Sequence, residues 1–144
     1  MFNKINILYV GNINNPHAKK WTSYFARKGL SVFIFSTDEP NDIDDLDQNV
    51  KIFHLKGKIL FYLFSPIFIL YLAYRYKIHI FHLHYLGRGI IPLLFIQRRI
   101  VSTVWGSDVL IQAKHSIFHR MLMKRHLQKS AIVTFDADFM KEEL

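Results

Sequence analysis

The chain has 144 residues, 51% of them hydrophobic, and 19 Lys and Arg against 11 Asp and Glu give it a formal charge of +8. That length allows one domain with a real core but is small for a complete two-substrate enzyme. The absence of cysteine excludes disulfides, thiolate metal sites and thiol nucleophiles together, and nothing argues against a cytoplasmic setting.

Met1-Phe2-Asn3-Lys4 leads into the first apolar run with no long signal-like stretch before it. Ile5 to Val10 reads as a first strand, and Gly11 to Pro16 as the turn leaving it. Asn15 is a suitable N-cap and Pro16 a suitable first helical residue, because proline lacks only an amide that would be unpaired there. Ala18, Trp21, Thr22 and Phe25 predict the inward stripe of a helix that Gly29 closes. Leu30 to Ser36 and Val50 to Leu55 are the second and third strands.

Ile59 to Tyr74 is apolar and uncharged, between Lys56 and Lys58 on one side and Arg75 and Lys77 on the other. A membrane span needs roughly twenty such residues, and Ser65-Pro66 interrupts this run. The expectation is a helix packed on a sheet, with an in-plane contact to an anionic membrane as the alternative. Ile78 to His84 is a fourth strand, with a short helix near Ile90 to Ile96. Arg99 to Val104 is a fifth, Ile117 to Lys129 a basic helix, and Ala131 to Phe135 a sixth strand. This alternation predicts an α/β fold, a Rossmann-like doubly wound parallel sheet with helices on both faces.

Charge is unevenly spread. Asp38, Glu39, Asp42, Asp44, Asp45 and Asp47 gather in one loop, whereas from Gln48 to Phe135 only Asp108 is negative. Such a field favours anionic partners: nucleic acid, anionic lipid or a phosphorylated substrate. Nucleic acid has charge alone in its favour, since no recognised motif accompanies it.

Ligands of doubly wound sheets sit beyond the carboxyl ends of the strands, where strand order reverses. In the common order, the loops meeting there are Gly11 to His17, His84 to Gly89 and Trp105 to Asp108. They supply the candidate residues Gly11, Asn12 and His17; His84 and Tyr85; and Trp105, Gly106, Ser107 and Asp108. Gly11 permits close backbone approach and the first helix aims amides at the crevice, which suits phosphate. One glycine is neither the dinucleotide fingerprint nor a P-loop. His82 reads as a satisfied core histidine. His84 lies nearer the exit, where it could bond a sugar hydroxyl or relay a proton. Neither has a third ligand nearby for a metal, and His115 and His119 fit a solvated helix surface. Asp108 is either a helix cap, a role Ser107 could also take, or a working catalytic group. Trp105 is either a core aromatic or a platform for a sugar ring.

Ile7-Leu8-Tyr9-Val10-Gly11, Pro16-His17, Trp21, Phe25 and Gly29 open a longer pattern. Together with His82-Leu83-His84-Tyr85-Leu86-Gly87 and Thr103-Val104-Trp105-Gly106-Ser107-Asp108, they resemble the N-terminal half of family-four glycosyltransferases. Ala131-Ile132-Val133-Thr134 into Asp138-Phe139-Met140 matches the family's next strand and helix. The resemblance implies a retaining enzyme of GT-B architecture, with two Rossmann-like domains facing a cleft. The N-terminal one chiefly binds the acceptor; the other binds the nucleotide-sugar and carries paired glutamates. It implies no cofactor and no metal, the nucleotide-sugar being a substrate. The loop with Gly11 and Asn12 would approach the donor diphosphate. Where the family often has His-Gly-x-Asp, Trp105 stands in place of the His, so that donor contact does not carry over; Gly106 and Asp108 match.

Many relatives build lipopolysaccharide or capsule at the inner membrane face, which sets the expectation of a peripheral association there. The chain breaks off at Lys141-Glu142-Glu143-Leu144 inside a helix just begun. Residues 1–144 are therefore expected to be an acceptor-side domain, truncated before the donor-binding one and inactive by itself. The acceptor would be a cell-surface glycan or a lipid-linked one. The alternative is a binding or scaffold module that pairs with a separate donor-binding subunit.

Overall fold

The computed structural model describes residues 5–41, 43–97, 99–108, 111 and 116–135. Asp42, Val109, His115 and the expected helix around Asp138 to Met140 lie outside the described residues.

Six strands form one sheet: β1 (Asn6–Gly11), β2 (Ser31–Ser36), β3 (Lys51–His54), β4 (Ile80–His84), β5 (Ile100–Val104) and β6 (Ile132–Phe135). Their spatial order is β3-β2-β1-β4-β5-β6, and every neighbouring pair is parallel. β1 is the hinge of this order, aligning Ile7 with Val32 of β2 on one side and with Ile80 of β4 on the other. The expected doubly wound, Rossmann-like α/β architecture is the one observed, with its switch point between β1 and β4.

Alternation along the strands sorts the core into two layers. Leu8 and Val10 of β1, Phe33 and Phe35 of β2, Phe81 and Leu83 of β4, and Ile100 and Val104 of β5 face one side. There they meet α2 (Lys58–Arg75), a 3₁₀ helix (Arg88–Leu93) and α3 (Ile117–Lys129). The other layer is smaller: Tyr9, Ile13, Ala18 and Ile34 pack under α1 (Pro16–Arg27).

Local chemistry explains the helix ends. The Asn15 side chain accepts from the His17 amide at 2.9 Å, and Pro16 follows it. Gly29, at φ +84°, ends α1, as the sequence predicts. The buried side of α1 differs from the predicted stripe. Ala18, Thr22, Ser23 and Ala26 face the sheet, while Trp21 is 42% exposed. Small residues let the helix sit close to the strands, and the indole is displaced to the flank, its ring 6.1 Å from that of His82.

Two other expectations change. α2 runs unbroken through Pro66, at the loss of one helical rung. The short helix after β4 is 3₁₀ and starts earlier, with Pro92 inside it, in keeping with the short runs typical of that geometry. Gly89 sets its depth: a Cβ there would lie 2.5 Å from Leu83 Cδ1.

α2 packs on the sheet as expected, through Phe61, Ser65, Pro66, Ile69 and Leu72. Its outer side is apolar as well, with Ile59 75%, Leu63 64% and Ile67 61% exposed. By length and composition alone the helix could cross a membrane, yet one side of it is built into the core.

Candidate functional site

The exits of β1 and β4 open into a crevice of about 250 Å³, whose lining includes Gly11, Asn12, Asn15, His84, Tyr85 and Arg88. Gly11 makes the opening possible, because a Cβ at that position would lie 3.0 Å from the His84 carbonyl oxygen. Asn15 and Ala18, at the N-terminal end of α1, line the same space. Asn12 steadies the loop by accepting from the Asn14 amide at 2.9 Å.

Below the crevice the smaller face of the sheet is polar. The Tyr9 hydroxyl and His84 Nδ1 form a hydrogen bond, and burial holds that phenol protonated by raising its pKa. With the phenol as donor, Nδ1 accepts and Nε2 carries the imidazole proton. His84 Nε2 has no partner among the described residues, although the residue is only 4% exposed and lines the crevice. Burial, reinforced by the charges of His82 and His17, pushes the His84 pKa down to about 3. The ring is neutral at pH 7, with Nε2 buried and unspent.

His82 is the satisfied core histidine that its position predicts. Its Nε2 lies 2.9 Å from Thr103 Oγ1, which lies 2.9 Å from Thr134 Oγ1, a chain across β4, β5 and β6. Burial lowers its pKa to about 4.

Aromatic rings continue the site outward. Trp105 stacks on His84 at 5.0 Å between centroids and 17° between planes, and His17 approaches its other neighbourhood at 4.6 Å. The sequence-predicted His84 and Trp105 thus stack, and His17 lies tilted against the indole; His17 and Trp105 stand beside the crevice without lining it. Tyr85 takes φ +82°, a conformation costly for a bulky side chain and concentrated at functional positions.

Asp108 is fully buried beneath this stack rather than open to the crevice. Its Oδ2 accepts from the Leu86 amide at 3.1 Å and the Trp105 amide at 3.0 Å. The second bond is the reach-back half of a capping box, with Asp108 third in a helical turn that begins at Gly106. The carboxylate thereby ties the β4 and β5 exits together. Burial raises its pKa to about 6 against the opposing pull of those two amides, and Oδ1 has no partner among the described residues. Gly106 and Ser107 are half-buried in this turn and do not line the crevice.

Arg88 and Asp38 are site residues that sequence reasoning missed. Arg88 Nη2 donates to Asp38 Oδ1 at 2.6 Å across the crevice mouth. The available signal was positional: Asp38 follows β2, the other neighbour of β1, so its loop reaches the same edge. Among the described residues no group of three His, Asp or Glu could hold a metal ion.

A family model described as glycosyl transferase 4-like matches residues 6–137. No curated protein matches the chain.

Proposed function

The chain belongs to the glycosyl transferase 4-like family, and on that premise we propose that it is the acceptor-side domain of a retaining glycosyltransferase. The six-stranded parallel sheet is consistent with one half of a GT-B fold. In this reading a nucleotide-sugar is the donor and a cell-surface glycan or lipid-linked molecule is the acceptor. A further domain or a separate subunit supplies the donor half, and residues 1–144 alone transfer nothing.

The observation that carries the reading is His84 Nε2, a buried ring nitrogen with no partner among the described residues, on a histidine that lines the crevice with Asn15. A buried polar atom is costly to leave unpaired, so a substrate hydroxyl, which can donate or accept, gains by pairing with it. Trp105 and His17 give a sugar ring an aromatic surface. As the donor's anomeric C–O bond breaks, charge collects on the departing diphosphate. The α1 amides and the backbone at Gly11 stabilise it, and the acceptor hydroxyl attacks the same face through an oxocarbenium-like transition state. Asp108 is a positioning residue here, holding the Leu86 and Trp105 backbones in register.

The apolar outer side of α2 rests on an anionic membrane. Ile59, Leu63 and Ile67 enter the interface, while Lys58 and Arg75, at the two ends of the helix, meet headgroups. Sedimentation with anionic vesicles at low salt tests this; a protein that stays in the supernatant contradicts it.

Transfer from radiolabelled nucleotide-sugars to a membrane extract, by the full-length protein with its donor half, tests the transferase reading. His84→Ala is expected to lower kcat/KM about 100-fold with the fold intact by circular dichroism. His84→Gln, which keeps an N–H, should restore part of it. Unchanged kcat/KM in a folded His84→Ala protein would overturn the assignment.

A further inference from the structure

The layer over the larger core is uneven. α2 has 18 residues and α3 has 13, but the element between them is a 3₁₀ helix of six. Six residues at about 2 Å each span less than half the length of α2 at about 1.5 Å per residue. The shortfall leaves a groove of about 400 Å³ between Tyr62 of α2 and Phe118 and Leu122 of α3, with Ile90 and Ile91 along the 3₁₀ helix. Phe118 is 71% exposed on its wall and Tyr62 44%.

The groove adjoins the crevice, and Tyr85 and Arg88 line both spaces. Its wall is built mainly of Tyr62, Ile90, Ile91, Phe118 and Leu122, with His119 among them, and the Arg88–Asp38 pair stands where it meets the crevice. Asp38 holds the guanidinium over that junction through a single Nη2 bond, and a guanidinium has five N–H donors, in a fork that matches phosphate.

We infer that the groove binds the apolar chain of a phosphate-bearing amphiphilic acceptor, with Arg88 holding its phosphate and the crevice receiving its head. This rests on the acceptor-side reading and narrows the acceptor to a lipid phosphate. The lining argues for that occupant: a neutral lipid would leave the Arg88 donors that Asp38 does not take unused, and a free glycan would leave Ile91, Phe118 and Leu122 unused. Arg88 is accordingly a specificity-determining residue for the acceptor, separate from the donor contacts at Gly11.

Calorimetric titration of the full-length protein with decyl phosphate, below its micelle concentration, tests the inference against decanol, inorganic phosphate and decyltrimethylammonium. Decyl phosphate is expected to bind at least about tenfold more tightly than each of the others. Arg88→Gln should abolish its advantage over decanol. Leu122→Trp, which fills the groove, should weaken decyl phosphate about tenfold and leave inorganic phosphate unchanged. Phe118→Ser, at an exposed position, gives the same readout in a smaller degree should Leu122→Trp not fold. Equal binding of decyl phosphate and inorganic phosphate, or of decyl phosphate and the cationic surfactant, overturns the inference. So does an Arg88→Gln effect confined to nucleotide-sugar affinity. Transfer to a water-soluble glycoside without decyl phosphate binding removes the lipid groove and keeps the transferase. Groove binding without transfer from any nucleotide-sugar does the reverse.

Discussion

The same strands build both faces of the sheet, and the two faces solve burial in different ways. Under α2 and α3 the residues are Leu8, Phe35, Leu83 and Ile100, each fully buried and without a polar group. On the opposite face of β1, β4 and β5 the residues are Tyr9, His82, His84 and Thr103, also buried but held by hydrogen bonds. The apolar face owes its stability to area removed from water. The polar face owes its stability to the completeness of its bonding, and the unmatched His84 Nε2 marks where it stops being scaffold. One intrusion qualifies the contrast: His126 of α3 reaches Ser102 Oγ at 3.1 Å from the apolar side.

Acid should separate the faces most strongly. His82 and His84 are depressed to about 4 and about 3 from 6.5, so each folds as the neutral ring. Their contribution is fully present above pH 6.5 and is lost as pH falls toward those values. Over roughly two pH units below 6.5 the pair should cost about 5 kcal/mol. His126, which burial lowers to about 4 on the other side, should cost about half as much again. Urea unfolding at stepped pH reads the sum, with His126→Gln to separate them. A flat profile would mean that the polar face is wetter than its burial indicates.

Next in size is the apolar face. Leu83→Ala should lower unfolding free energy by about 2–5 kcal/mol at every pH, because the cavity it leaves contains nothing that titrates. A pH-dependent loss would show that the two layers are coupled through β4.

Asp108→Asn probes the tie between the exits. The folded carboxyl sits at about 6 against an ordinary 3.8, so the cost of burying its charge grows as pH rises from 3.8 and is complete above 6, at about 3 kcal/mol. Asparagine can accept both amides without charge. The variant should be more stable than the parent at pH 8 and equal to it near pH 4. Equal stability at both pH values would mean that Oδ1 is solvated.

The smallest effect is that of Tyr9→Phe, about 1 kcal/mol. Its sharper signature is nitrogen NMR of His84, where the proton should redistribute between Nδ1 and Nε2 once the phenol no longer donates.

Much of this contrast was legible in the chain. Strand positions followed from short apolar runs between turn residues, and parallel order from their alternation with helices. The cap at Asn15 and the stop at Gly29 were local signals and hold in the structure. The Gly11 and His84 loops of the crevice followed from topology, whereas the Trp105 to Asp108 loop, expected there too, does not line it. What was not legible depended on distant partners. Ala18 and Thr22 face the sheet as predicted, but nothing near Trp21 says that Ser23 and Ala26 would take the places of Trp21 and Phe25, since closeness of packing is decided by strands across the interface. Pro92 hints at an irregular helix, but its 3₁₀ form depends on Gly89 fitting against Leu83. Asp108 stood out by charge and position, yet its burial comes from the Leu86 amide 22 residues earlier. The Arg88–Asp38 bond joins loops 50 residues apart, beyond any spacing rule.

The place of β1 in the sheet also governs how the chain comes into being. β1 is made well before β4, yet it pairs with it across 73 residues, Ile7 with Ile80. The ribosome therefore releases α2 before the strand that completes its seat. Sheets joined by such distant pairings assemble slowly, and exposed apolar segments invite aggregation meanwhile. Ile59 to Tyr74 is thus the stretch a nascent chain must shield, by a chaperone or by early contact with lipid, until Ile80–His84 has emerged.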